Sequence, residues 1–396
     1  MKKLFYLFSI HCFGMLIAAA TLTSCNSDDD DTTAPKNEEQ EEVTVLVAGI
    51  PDDGDATPNP NVDNNTTNIP NIVCNTEYEN GVPVIRIDMT GVQESLGNEW
   101  LRLYGTGSDK QNVWVEVDGK PKGISVRNTA DDNDGNAKVM ADLVFLVDNS
   151  GSMSEEADAI ARDITSWSNM LSRSGLDMKF GIVGYDGAIC GALNITTSDN
   201  LAEYLNFSSG TSRTRHFGGP DASKLSAAVE PYRTGGNSAY ECGTAALRFA
   251  DEHFAFRNGT NRIYVNFTDE PNQPYGNKDF SVEYVSTQEN WNTAKGTIHT
   301  VYSDTYKDFA ERQYQSEYPW RMSEYTGGTI IYCNPSFNDV TLTNLPVTGA
   351  MQNSYIIRFT NIANLMDGKT HDVKITILTK DGKTMAEKTF SVTFAS

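Results

Sequence analysis

The chain has 396 residues, 53 acidic against 31 basic, and a formal net charge of −22. That length predicts two compact units plus processed or mobile segments rather than one domain. Phosphate binding needs clustered lysine and arginine, so the balance argues against nucleic acid as a partner and is unsuited to electrostatic attachment to anionic lipid.

At the amino terminus, Lys2 and Lys3 precede an apolar stretch, Leu4 to Ala20, too short and abruptly ended for a spanning helix and readable as a secretory signal. It runs into Leu22-Thr23-Ser24-Cys25, which resembles the bacterial lipobox. The resemblance implies a lipoprotein signal peptide over 1–24 and acylation of Cys25, whose acyl chains would hold the protein at a membrane. In residues 25–71, Cys25 is followed by NSDDDD and then by a run rich in Asp, Glu, Thr, Asn and Pro, as an acidic disordered tether is. An acidic run at this point resembles the export signal of lipoproteins sent to the outer face of diderm bacteria. The expected location is therefore the outer membrane, lipid-anchored and exposed at the cell surface; a plain charged spacer is the alternative.

Short strands are predicted next. Val82–Met89 and Glu99–Tyr104 alternate apolar and polar residues, and Asn112–Val126 reads as a hairpin turning at Asp118-Gly119. Ser354–Thr360 and His371–Phe394 supply two or three more, with Asp381-Gly382 as a second hairpin turn. Neither half closes two apolar faces alone, so 72–137 and 351–396 are predicted to pair as one all-β sandwich interrupted by the residues between them. Two separate small β modules are the alternative.

Residues 138–350 alternate strand and helix, which predicts an α/β fold, doubly wound and Rossmann-like, with a mostly parallel sheet. Leu143 to Val147 form an apolar run suited to a strand buried on both faces. Over Ser154–Gly175 the residues Ala157, Ile160, Ile164, Trp167 and Leu171 share one helical stripe. Strands are predicted at Met178–Gly187, Asn261–Pro271, Thr297–Asp304 and Gly328–Asn334, and helices at 222–232, Cys242–Phe254 and Phe309–Gly327.

Where the first apolar run stops, Asp148, Ser150 and Ser152 stand two apart, three hard oxygen donors at the carboxyl end of a strand, the edge where open α/β sheets bind ligands. Asp148-Asn149-Ser150-Gly151-Ser152 is similar to the DxSxS signature of the von Willebrand factor type A (VWA) domain, and with the element order the likeness covers a little over half the chain. In that family the signature opens a metal-ion-dependent adhesion site (MIDAS) with donors from three loops. On this resemblance the third loop is Thr268-Asp269, with Glu270 where the family has glycine. The second loop is Thr234–Gly243, where Ser238 and Glu241 stand three apart as in the integrin β version; Glu241 is the expected ligand, with Ser238 or Asn237 as a further donor. Integrin β subunits also place the domain inside a β-sandwich.

The implied metal ligands are Asp148, Ser150, Ser152, Ser238, Glu241 and Asp269. An oxygen-only set of this kind suits Mg²⁺ (or Mn²⁺/Ca²⁺) and offers nothing soft for copper or zinc. The expected partner is a protein ligand offering an Asp or Glu carboxylate to complete the coordination shell. Glu155 and Glu156 match acidic positions that hold a second ion in integrin β, although glutamates in a first helical turn are favoured by the macrodipole alone. In a type A fold Cys190 and Cys242 lie on the metal-bearing face, which leads to an expected Cys190–Cys242 disulfide, with two free buried thiols as the alternative. The histidines occur singly, and HExxH and GxSxG are absent from the sequence, so no enzyme is expected. The alternative function is a structural scaffold or fimbrial component whose metal only stabilises the loops.

Overall fold

Two-residue turns set the first layer. In the computed structural model, β1 (Ile72–Glu79) and β2 (Val82–Met89) pair antiparallel with Glu79 opposite Val82. The connecting Asn80-Gly81 has φ of 52° and 82°, the left-handed pair that a type I′ turn requires and that Asn-Gly accepts at little cost. The structure describes residues 47–62, 69, 72–94, 99–131, 139–173, 176–205, 228–234, 240–303, 315–334, 341–379 and 385–394, all within one unit, Thr44–Ser396.

β3 (Val113–Val117) turns at Asp118-Gly119 into β4 (Lys120–Pro121), as expected, and is followed by β5 (Ser125–Asn128). The predicted strand at Glu99–Tyr104 does not form; only a single bridge, Gln93 to Trp100, is made there. Its alternation still buries Leu101 and Leu103, and side chains join the few backbone bonds, such as Leu101 N–H to Val92 O at 2.9 Å, in satisfying the segment. Asn128 accepts the Leu103 N–H at 3.1 Å and donates to Leu103 O at 3.0 Å, and Tyr355 Oη donates to Leu101 O at 2.6 Å.

β6 (Met140–Asp148), β7 (Asp177–Tyr185), β8 (Ile189–Thr196), β9 (Asn261–Thr268), β10 (Thr297–Ser303) and β11 (Ile330–Cys333) form one six-stranded sheet ordered β11-β10-β9-β6-β7-β8. Its pairings are parallel except for the antiparallel edge strand β8. Successive side chains on a strand point to opposite faces, so β6 feeds two cores. Leu143, Phe145 and Val147 pack with Ile160, Ile164, Trp167 and Leu171 of α1 (Ser154–Arg173). Val144 and Leu146 pack with Ala245, Ala246 and Phe249, which lie on the helix Gly243–His253. That helix is α3 here, after α2 (Ser198–Leu205), and α4 (Arg321–Thr326) and α5 (Pro346–Gln352) follow. The predicted helix over 222–232 falls largely outside the described residues, which show a short 3₁₀ turn at Glu230–Tyr232.

The chain then returns to the first layer. β12 (Tyr355–Phe359) inserts between β2 and β5, giving the sheet order β1-β2-β12-β5, while β13 (Thr370–Leu378) and β14 (Met385–Thr393) join β3 and β4 in the order β14-β13-β3-β4. Each four-stranded sheet thus combines strands from before and after the α/β region. Ile85, Ile87, Ile357 and Phe359 share one core with Val113, Val115, Val373, Ile375 and Ile377. The exit and re-entry points are neighbours: Asn128 is opposite Tyr355, and Thr129 donates both its N–H and its hydroxyl to Ser354 O at 2.9 Å. The turn expected at Asp381-Gly382 lies outside the described residues, although Leu378 and Met385 pair on either side of it.

His299 on β10 is buried, with Nδ1 accepting the Thr329 N–H at 3.0 Å and lying 2.8 Å from Thr329 Oγ1. Burial disfavours its charged form and pulls its pKa from 6.5 to about 3. The unfolded chain takes up this proton near 6.5 and the folded chain does not. The contribution to stability is therefore complete above 6.5 and is lost as pH falls towards 3. Urea unfolding of wild type and His299→Asn across that window should show the steeper loss in wild type, the carboxylate background cancelling between them.

Candidate metal centre

Because β6 and β9 are parallel neighbours, their carboxyl ends finish side by side, with Val147 opposite Phe267. That places Asp148 against Thr268 and opens both following loops onto one rim. Asp148 is fully buried; its Oδ1 accepts the Ser150 N–H at 3.0 Å and its Oδ2 accepts the Thr268 hydroxyl at 2.7 Å. Ser150 Oγ lies 3.0 Å from Ser152 Oγ, and Ser152 donates to Asp269 Oδ1 at 3.1 Å. Asp148, Ser150, Ser152 and Asp269, drawn from two loops 117 residues apart for the last pair, form one hydrogen-bonded chain. Ser152 is its exposed member, whereas Ser150 and Asp269 are buried.

The second loop reaches the rim just ahead of α3. Gly243 starts that helix against β9: a Cβ there would meet both Asn266 amide atoms at 3.0 Å and Tyr185 Oη at 3.2 Å, so a larger residue would push the Asn266 side chain aside by a few tenths of an ångström. Glu241 is thereby held beside the third loop. Gln273 joins the two loops, donating its N–H to Glu241 O at 2.8 Å and its side-chain amide to Glu241 Oε2 at 3.1 Å and Glu270 Oε2 at 2.7 Å. Glu270 adds a further carboxylate to this acidic rim.

These carboxyls raise one another's pKa. Burial pushes Asp148 well above the usual range, and Asp269 and Glu241 push it further, against the hydrogen bonds from Ser150 and Thr268. Burial, then Glu270 and Asp186, carries Glu241 to about 7. Glu270 is also raised, by burial and then by Asp269. Carboxylates crowded out of water are costly, and either protonation or a divalent cation offsets that cost. Among the described residues no three His, Cys, Asp or Glu side chains gather into a metal cage. The donors that fit an ion here are carboxylate and serine oxygens in combination, a hard set appropriate to Mg²⁺ or Mn²⁺.

Ser238 lies in 235–239, outside the described residues, as does Cys25; Glu155 and Glu156 fall in the first turn of α1, and their side chains are likewise outside. The expected Cys190–Cys242 disulfide is not formed. All four described cysteines are free thiols. Cys242, the N-cap residue of α3, points into the core and lies 3.2 Å from Asn272 Oδ1, whereas Cys190 on β8 lies 3.5 Å from Ala188 O. Burial raises both thiols to about 12, which leaves them protonated and poor ligands for a soft metal. Two contributors escape a sequence reading. Thr268 is visible only as a neighbour of Asp269, and Gln273 carries no motif because its partner Glu241 is 32 residues away.

No protein-family model matches the sequence, and no curated protein matches it. Among solved structures, the vWF domain of the type V pili tip protein Mfa5 from Porphyromonas gingivalis aligns at 11% identity and a TM-score of 0.33, over 54% of this chain and 95% of that one. The pilus adhesin RrgA from Streptococcus pneumoniae aligns at 15% identity and a TM-score of 0.23, over 54% of this chain and 32% of its own. The human COPII-coat protein Sec24c aligns at 8% identity and a TM-score of 0.32, over 86% and 62%.

Proposed function

We propose that the α/β region is a doubly wound VWA domain whose rim binds a protein ligand through a divalent cation, and that the chain is a lipid-anchored adhesive protein of the bacterial cell surface rather than an enzyme. The observation that carries this reading is the hydrogen-bonded convergence of Asp148, Ser150, Ser152 and Asp269, with Glu241 close enough to Asp148 to raise its pKa. A bound Mg²⁺ (or Mn²⁺/Ca²⁺) supplies an open coordination position for an Asp or Glu carboxylate of the partner. The chain's own part is positional. Thr268 and the Ser150 N–H fix Asp148, Ser152 presents its hydroxyl at the surface, and Gln273 holds Glu241 against the third loop. The lipobox-like run Leu22-Thr23-Ser24-Cys25 supports attachment through Cys25 and, with it, the surface location. Among the described residues no helix is long and apolar enough to cross a membrane.

A second reading, in which the ion only stabilises the loops of an envelope scaffold, is favoured by the way these hydrogen bonds already join the loops to one another. Thermal unfolding with Mg²⁺, Ca²⁺, Mn²⁺ or chelator tests the site. An ion at one hundred times its dissociation constant adds about 2.7 kcal/mol to the folded state, so the wild-type midpoint should rise while those of Asp148→Ala and Asp269→Asn stay put. Equal responses in all three proteins would remove the proposed ligation. Chelator that blocks capture of an acidic partner separates adhesion from scaffolding.

A further inference from the structure

Four described residues other than glycine adopt a positive φ: Asn80, Asp118, Asn361 and Tyr275. Three are the residue types whose short polar side chains tolerate that region; a tyrosine there is strained. Tyr275 and Gly276, at φ 48° and 77°, form the centre of a turn closed by Asn277 N–H to Pro274 O at 2.9 Å. At the equivalent turns this chain uses Asn80-Gly81 and Asp118-Gly119. The strain at Tyr275 is not offset by burial, since the residue is 68% exposed. What it achieves is display: the ring stands 4.8 Å from that of Tyr240, tilted by 40°.

The location of this pair ties it to the rim. Tyr240 directly precedes Glu241, and Tyr275 lies two residues beyond Gln273, which bonds both Glu241 and Glu270. Backbone strain concentrated at one exposed aromatic beside a candidate binding site is the pattern expected of a functional contact. We infer that Tyr240 and Tyr275 are specificity-determining contacts of the rim, forming an aromatic shelf for a lysine or arginine side chain beside the carboxylate of a bound protein segment. Charge selects that occupant. Tyr240 adjoins Glu241 in sequence and Tyr275 follows the Gln273 that bonds Glu241 and Glu270, on a chain of net charge −22, and the face of a tyrosine ring attracts a cation. The inference rests on the rim's accepting an acidic partner.

Two measurements on the full-length protein test it. Immobilised hexapeptides carrying one aspartate, flanked by lysine or by alanine, serve as probes in magnesium and in chelator. Wild type should prefer the lysine-flanked peptide about fivefold in magnesium, and Tyr275→Gly and Tyr240→Leu should abolish the preference. In parallel, Tyr275→Gly should hold or raise the thermal midpoint, because glycine relieves the left-handed strain; a packing role for Tyr275 would lower it. Magnesium-dependent capture that is equal for the two peptides, or a preference that survives Tyr275→Gly, overturns the inference and leaves the rim reading standing. Failure to capture either peptide also overturns it, and a wild-type midpoint indifferent to magnesium then places the fault in the rim reading itself.

Discussion

Arg257→Ala should cost about 3–5 kcal/mol, the expected penalty for leaving one partner of a buried ion pair uncompensated. Asp142, on β6, is fully buried and takes the Arg257 Nε–H at 2.7 Å, the Arg257 backbone N–H at 2.8 Å and the Thr260 hydroxyl at 3.1 Å. The same guanidinium reaches Asp177 Oδ1 at 2.8 Å and the carbonyls of Ala141 and Asp177 at 2.9 and 3.0 Å, tying the amino-terminal ends of β6 and β7 together. Without it, Asp142 keeps its burial and loses its counter-charge. Equilibrium denaturation should show a lower midpoint at unchanged slope, and Arg257→Met combined with Asp142→Leu should recover part of the loss, because removing both charges leaves no carboxylate stranded. A double variant as unstable as Arg257→Ala would show that the loss comes from packing instead.

Trp167→Ala should be similarly severe, about 3–5 kcal/mol. Its indole is fully buried between α1 and the sheet, edge-on to Phe145 with ring centroids 5.6 Å apart at 61°. The indole N–H is buried without an acceptor among the described residues. Trp167→Phe deletes that unsatisfied donor together with some volume, so it should cost far less than the alanine change. Since α1 begins immediately after the Asp148–Ser152 loop, the alanine variant should also respond less to magnesium in thermal unfolding. A full magnesium response would separate the loop's geometry from the packing of the helix.

Patterns internal to one segment were legible in the sequence. The apolar run of β6 ending at Asp148, the stripe on α1, and β9 closing on Thr268-Asp269 each carry their signal within a few residues, and parallel pairing brings the two loop ends together. Features set by distant partners were not. β1 ends in CNTEYE, six residues without an aliphatic side chain, and Asn80-Gly81 after it is the clearer mark of a hairpin. Glu99–Tyr104 alternates like a strand, yet it makes a single bridge and takes part of its hydrogen bonding from the side chains of Asn128 and Tyr355. A shared face does not fix which way a thiol points, and Cys242 turns towards Asn272 instead of Cys190. Gln273 becomes meaningful only once the second and third loops are folded against each other.

The close junction at Asn128 and Tyr355 has a mechanical consequence. Both connections to the α/β region emerge at the same end of two antiparallel neighbours, β5 and β12, and β12 is bonded on its other side to β2. Ladder bonds run across the strands, so tension transmitted lengthwise through this double stem loads the whole β2–β12 ladder in shear at once instead of peeling it rung by rung.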